Sequence, residues 1–174
     1  MHAITLIHSD SAKIENVDCD FIFTDPPYDM DGSTLSNIVD KCSARHMVLI
    51  TTMKQLIEFL KVTDWQLSFD FVLDAVVPKK SKSKYQPNYT HATGVYLTKP
   101  GEKSKFNREL RERSDTFDNS GYWPTILHAP RNRMQDHGKA KNLESIKDIL
   151  GSFEVEHVYD PFAGSGTTDR KSVV

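Results

Sequence analysis

The chain has only two cysteines in 174 residues, and neither Cys19 nor Cys42 falls in a CxxC or mixed Cys/His spacing. No disulfide framework and no zinc site is suggested. Seven scattered histidines do not change that. No apolar run approaches the roughly eighteen residues of a membrane span. The opening MHAITLIHSDSAK lacks the basic, apolar and small-residue succession of a secretory leader. The expectation is a cytoplasmic chain with no membrane and no metal. Repeats and low-complexity tracts are absent as well. With 38% apolar and 26% charged residues, the composition suits one soluble globular domain.

Charge of one sign is scarce in places. Residues 1–74 carry a net −7, residues 75–141 a net +8 and residues 142–174 a net −3. The middle third is therefore a basic island. Its densest piece, PKKSKSKY, holds Lys79, Lys80, Lys82 and Lys84. Read alone, such a run is a solvated loop. Because the bias extends through Lys105, Arg111 and Arg133, with Tyr85, Tyr89, Tyr122 and Trp123 interleaved, a surface for a phosphate backbone is the alternative.

Short apolar runs alternate with helical periods. AITLIH (Ala3–His8), FIFT (Phe21–Thr24) and MVLIT (Met47–Thr51) read as buried parallel strands. Leu35, Ile38, Val39 and Cys42 repeat at helical spacing behind Ser33 and Thr34, as do Met53, Leu56, Ile57 and Leu60 behind Thr51 and Thr52. The class is α/β: a doubly wound, mostly parallel sheet with right-handed crossovers. Phe69–Pro78 and Ala92–Lys99, with no helix between them, predict an antiparallel hairpin at a sheet edge. Phe106–Arg113 reads as a short helix. Leu143, Ile146, Ile149 and Leu150 predict another, with Asn142 as N-cap and Gly151 as stop. A last strand, EVEHVYD, leads into PFAGSGTT.

Two motifs carry chemistry. In DPFAGSGTT (Asp160–Thr168), Gly164 and Gly166 allow a tight turn and close backbone approach to a ligand. It lacks the lysine of a P-loop and the third glycine of a dinucleotide fingerprint; alone, it could be a structural turn. DPPY (Asp25–Tyr28) ends a strand with an acid, two residues that lack N–H donors, and a ring. At the carboxyl end of a parallel strand this places Asp25 at the crevice of an open α/β sheet. A carboxylate, a rigid carbonyl and an aromatic face suit a planar ligand bearing an amino group. The plainer reading is a strand stop with a solvated acid.

Together, DPPY and DPFAGSGTT resemble the catalytic and cofactor motifs of the S-adenosylmethionine-dependent amino-directed DNA methyltransferases, in the circularly permuted order of the β group. The resemblance implies a class I methyltransferase-like, Rossmann-related fold over residues 1–168. It implies a base amino group held by Asp25 and Pro26, with Pro27 stiffening the turn and Tyr28 stacking on a flipped base. It further implies cofactor contacts from Asp160, Phe162, Gly164, Ser165, Gly166 and Thr167. ITLIHSD is similar to the strand before the catalytic motif, which puts Asp10 near the cofactor adenine. QDHGKAKNLESIKDIL resembles another cofactor segment at His137 and Lys141, with Asn142 replacing the usual proline. Asp at the first motif position points to N6-adenine rather than N4-cytosine. C5-cytosine chemistry would need a Pro-Cys nucleophile, and Cys19 follows Asp18 while Cys42 follows Lys41.

The implied partner is double-stranded DNA, gripped by Lys79, Lys80, Lys82 and Lys84. Residues 100–136 are a short target-recognition insert, and recognition is of few bases or shared across a homodimer. After Thr168 the chain reads DRKSVV, the translation of the adapter string GATCGGAAGAGCGTCGTG. Residues 169–174 are therefore expected to be a non-native tail, and the last crossover of the fold to be missing. The rival reading is a catalytically inactive fragment that only binds DNA.

Overall fold

A computed structural model of the chain describes residues 5, 7–74, 84–85, 87–88, 90–110, 123–127 and 143–163. Six strands form one sheet: β1 (Phe21–Thr24), β2 (His46–Thr51), β3 (Gln66–Leu73), β4 (Ala92–Thr98), β5 (Ile126–Leu127) and β6 (Val158–Tyr159). Their order is β5-β3-β4-β2-β1-β6. β1 pairs in parallel with both β2 and β6, and β3 with β5. β4 is antiparallel to both of its neighbours, so it alone opposes the common direction.

Period-two alternation divides the apolar residues between two faces. Phe21, Phe23, Val48, Ile50 and Tyr96 face α3 (Leu143–Leu150), which contributes Ile146 and Ile149. Ile22, Met47, Leu49, Val95 and Leu97 pack with α1 (Gly32–Val39) and α2 (Met53–Leu60) through Leu35, Val39, Leu56 and Phe59. Burial on both faces is why β1 and β2 read as unbroken apolar runs. At Gly32 a Cβ would lie 2.4 Å from the Glu58 carbonyl carbon. The bare backbone there lets α1 start directly against α2.

The hairpin of β3 and β4 is present, and it lies at the sheet's margin. β5 covers β3 only at Val72 and Leu73. β3 begins three residues earlier than the apolar run suggests, with a register shift between Leu67 and Phe69; residues 75–80 lie outside the described residues. Several other expectations are corrected. Within Ala3–His8 the described residues Thr5, Ile7 and His8 are in no strand, and Ile7 is 57% exposed; both edges of β1 are already occupied by β2 and β6. α1 stops at Val39, with Asp40 as its C-cap. Of EVEHVYD only Val158 and Tyr159 pair.

Phe106–Leu110, the described part of the predicted short helix, is turn. Phe106 bridges to Phe153, and the Asn107 side chain accepts from Glu109 N at 3.0 Å, a local bond that competes with helix formation. On α2 the buried face is Gln55, Leu56 and Phe59. Met53 and Ile57 are 54% and 48% exposed. Apolar spacing misjudged this face because a polar residue, Gln55, occupies it with its hydrogen bonds satisfied inside the protein. α3 forms as expected and ends where Gly151 N donates to Lys147 O at 2.7 Å.

Candidate active site

β1, β2 and β6 point the same way, so their carboxyl ends share one edge of the sheet. Asp25 follows β1, Thr52 follows β2 and Asp160 follows β6. The helix cover also changes sides here. α1 and α2 pack on one face, while α3, which leads into β6, packs on the other. The gap between β1 and β6 is therefore the kind of switch point where open α/β sheets bind ligands.

The loop after β1 is tightly built. Pro26 is buried, Asp25 is half-buried, and Tyr28 is 39% exposed. Met30 N donates to the Pro27 carbonyl at 3.0 Å, closing a turn. Asp31 then caps α1, accepting from Thr34 N at 2.9 Å and Thr34 Oγ1 at 2.7 Å. These two bonds hold the exposed Asp31 carboxyl below its ordinary range. The two proline carbonyls differ in their use. Pro27 O also accepts from Gln55 Nε2 at 2.8 Å, so it faces the protein. Among the described residues nothing donates to the Pro26 carbonyl.

Asp160 is tied to the same loop from the other motif. Its Oδ1 accepts from Thr24 Oγ1 at 3.3 Å and from Phe162 N at 2.9 Å. Phe162 is half-buried against the α1 side of the core. Carboxylates thus stand at the ends of two adjacent strands, one at Asp25 and one at Asp160.

Asp10 is exposed and caps its own single turn, accepting from Ala12 N at 3.0 Å. No described contact joins it to the Asp25 loop. His137, Lys141, Gly164, Ser165, Gly166, Thr167, Lys79, Lys80 and Lys82 lie outside the described residues. Lys84 sits with its ammonium 5.0 Å from the centroid of the Tyr85 ring. Lys105, counted in the basic island, is occupied elsewhere: its Nζ lies 2.5 Å from Asp20 Oδ2, near the opposite end of β1. Thr24, Thr51 and Gln55 were missed in the sequence. The only signal for Gln55 was its place three residues after a capping threonine.

Among the described residues no cluster of His, Cys, Asp or Glu could hold a metal ion, and no helix is long and apolar enough to cross a membrane. No protein-family model matches the chain, and no curated protein matches it. Solved structures do. M1.HpyAVI aligns over 95% of this chain and 84% of its own, with a TM-score of 0.68 at 18% identity. The M1.HpyAVI-SAM complex aligns over 89% and 78%, with a TM-score of 0.62 at 20% identity. TTHA0409 of Thermus thermophilus, described as a candidate DNA modification methylase, aligns over 92% and 80%, with a TM-score of 0.61 at 15% identity. The chain shares the open α/β fold of these proteins.

Proposed function

We propose that the chain is a DNA methyltransferase that moves a methyl group from S-adenosylmethionine to the N6 amino nitrogen of adenine in double-stranded DNA. The observation that carries this reading is that Asp25 and Asp160 follow two adjacent parallel strands, β1 and β6, with Thr24 Oγ1 bonded to Asp160 Oδ1 between them. The same fold in M1.HpyAVI, solved as a SAM complex, and in TTHA0409 supports it.

An exocyclic amino nitrogen is a weak nucleophile because its lone pair is delocalised into the ring. In this reading Asp25 accepts one N–H and the Pro26 carbonyl the other, which lets the nitrogen become pyramidal and present its lone pair. S-adenosylmethionine, when bound, supplies an electrophilic methyl on a sulfonium. Asp160, Phe162 and the loop from Gly164 through Ser165 and Gly166 to Thr167 would hold it, with Asp10, His137 and Lys141 completing the pocket. The protein's work is positioning and electrostatics, without a covalent enzyme intermediate. Tyr28, partly exposed beside the acceptors, offers a ring for a base turned out of the duplex.

Lys79, Lys80, Lys82 and Lys84 are proposed as phosphate contacts. Residues 100–136 are proposed as the recognition insert of a single catalytic domain, with a homodimer as one way to share recognition. The second reading at the same acceptors is N4-cytosine. Transfer of labelled methyl to oligonucleotides with one adenine or one cytosine distinguishes the two. Asp25→Ala should abolish transfer while cofactor binding persists. Transfer at the unaltered rate by this variant would exclude Asp25 from the chemistry. DNA binding without any transfer by the unaltered chain would favour the inactive, binding-only reading.

A further inference from the structure

We infer that Gln55, at the start of α2, is the positioning residue that sets the geometry of the Asp25–Tyr28 loop; its catalytic consequence rests on the methyl-transfer reading above. Gln55 is 2% exposed. Its backbone N–H donates to the N-cap hydroxyl of Thr52 at 3.3 Å, half of a capping box. The other half would send the side chain back to the N-cap backbone. Instead the carboxamide crosses to the loop, where Nε2 donates to Pro27 O at 2.8 Å and to Met30 O at 2.9 Å. Thr51 Oγ1, fully buried at the end of β2, donates to Gln55 Oε1 at 2.8 Å. That bond orients the amide, so both N–H groups must face the loop.

The requirement is specific. Two converging carbonyls need two donors from one planar group, with an acceptor on its other side for the Thr51 hydroxyl. A primary amide meets all three conditions. A carboxylate of the same shape would set negative charge against two carbonyl oxygens. A leucine would remove the Nε2 donor from both carbonyls, leaving Pro27 O only its bond from Met30 N, and would leave the buried Thr51 hydroxyl only the Thr52 carbonyl at 3.3 Å. The Pro27 carbonyl lies in the Pro27–Tyr28 peptide; because the Pro27 ring fixes its own φ, holding that peptide and the Met30 carbonyl restrains the Pro26–Pro27 peptide before it, and with it the Pro26 carbonyl. Gln55 thereby links the acceptor pair to the rigid junction of β2 and α2 without touching a substrate.

The test compares Gln55→Leu and Gln55→Glu with the unaltered chain by amide hydrogen exchange at Met30 and by single-turnover methyl transfer to DNA. In Gln55→Leu the Met30 amide should exchange about tenfold faster or more, while amides in β1 and β2 stay protected. Transfer should slow about a hundredfold, with the cofactor dissociation constant within about twofold. In Gln55→Glu the transfer rate should recover as the pH is lowered, because the introduced carboxyl regains an O–H donor on protonation. A lost core would not recover this way. Unchanged Met30 exchange in both variants, or no pH recovery in Gln55→Glu, overturns the inference. If the unaltered chain transfers no methyl group, the enzymatic reading fails, and Met30 exchange alone still decides whether Gln55 orders the loop.

Discussion

The hydroxyl of Thr24 donates to the carboxylate of Asp160 across 3.3 Å, although 136 residues separate them in the chain. This bond joins the last residue of β1, which precedes Asp25, to the first residue after β6, which opens the DPFAGSGTT segment.

Thr24→Val keeps the shape of a fully buried side chain and removes that bond. The expected cost is about 1 kcal/mol, read from urea unfolding. Asp160 retains its bond from Phe162 N, so S-adenosylmethionine binding, measured by calorimetric titration, should weaken severalfold. Asp160→Ala removes both bonds and should abolish binding while the fold persists. Equal affinities for both variants and the unaltered chain would separate Asp160 from the cofactor.

Gly32→Ala tests the contact between α1 and α2. Alanine is ordinarily worth up to about 1 kcal/mol over glycine within a helix. Here the new methyl meets the Glu58 carbonyl carbon at 2.4 Å. Backbone has to move, and the expected net loss is about 1–3 kcal/mol. A stabilised Gly32→Ala variant in urea unfolding would show that the helices can separate freely.

Acid should weaken the fold in two stages. His46 is buried, with Nδ1 2.9 Å from the Tyr96 hydroxyl. Burial, and then the charge of Lys105, hold its pKa below the ordinary 6.5. The unfolded chain therefore binds the proton more readily. This contribution is complete above about pH 6.5 and is lost as pH falls below it. For Asp20, burial alone would raise the pKa, but Lys105 and the amides of His157 and Glu156 outweigh it and hold it below 3.8. Its contribution is present above that value and lost as the pH falls further. Urea midpoints measured from pH 8 to pH 3 should show both stages. His46→Gln should flatten the first and leave the second.

The lysine loop is checked by salt. Replacing Lys79, Lys80, Lys82 and Lys84 with alanine should weaken DNA binding and reduce the slope of log affinity against log salt by as much as about 3.6. The same slope for both proteins would mark the segment as a solvated loop.

Much of the fold is legible in local pattern. Phe21–Thr24 and Met47–Thr51 announced strands buried on both faces, and Leu35, Ile38 and Val39 announced a one-sided helix, because each pattern reports only which side of an element meets the core. The placement of Asp25 was legible for the same reason: a strand that runs into two prolines has to end there. The buried face of α2 was legible only in part: apolar spacing selects Leu56 and Leu60, which pack in the core, but also the exposed Met53 and Ile57, and passes over Gln55.

The sequence by itself determined the class of fold and the position of DPPY at a strand end, both of which depend on neighbours a few residues apart. Only the tertiary structure decided that β4 enters between β2 and β3, that Thr24 meets Asp160, that the Pro27 carbonyl meets Gln55, and that Lys105 answers Asp20. These are hydrogen bonds and ion pairs between distant segments. Their partners are chosen by strand order and helix cover, which no local periodicity encodes.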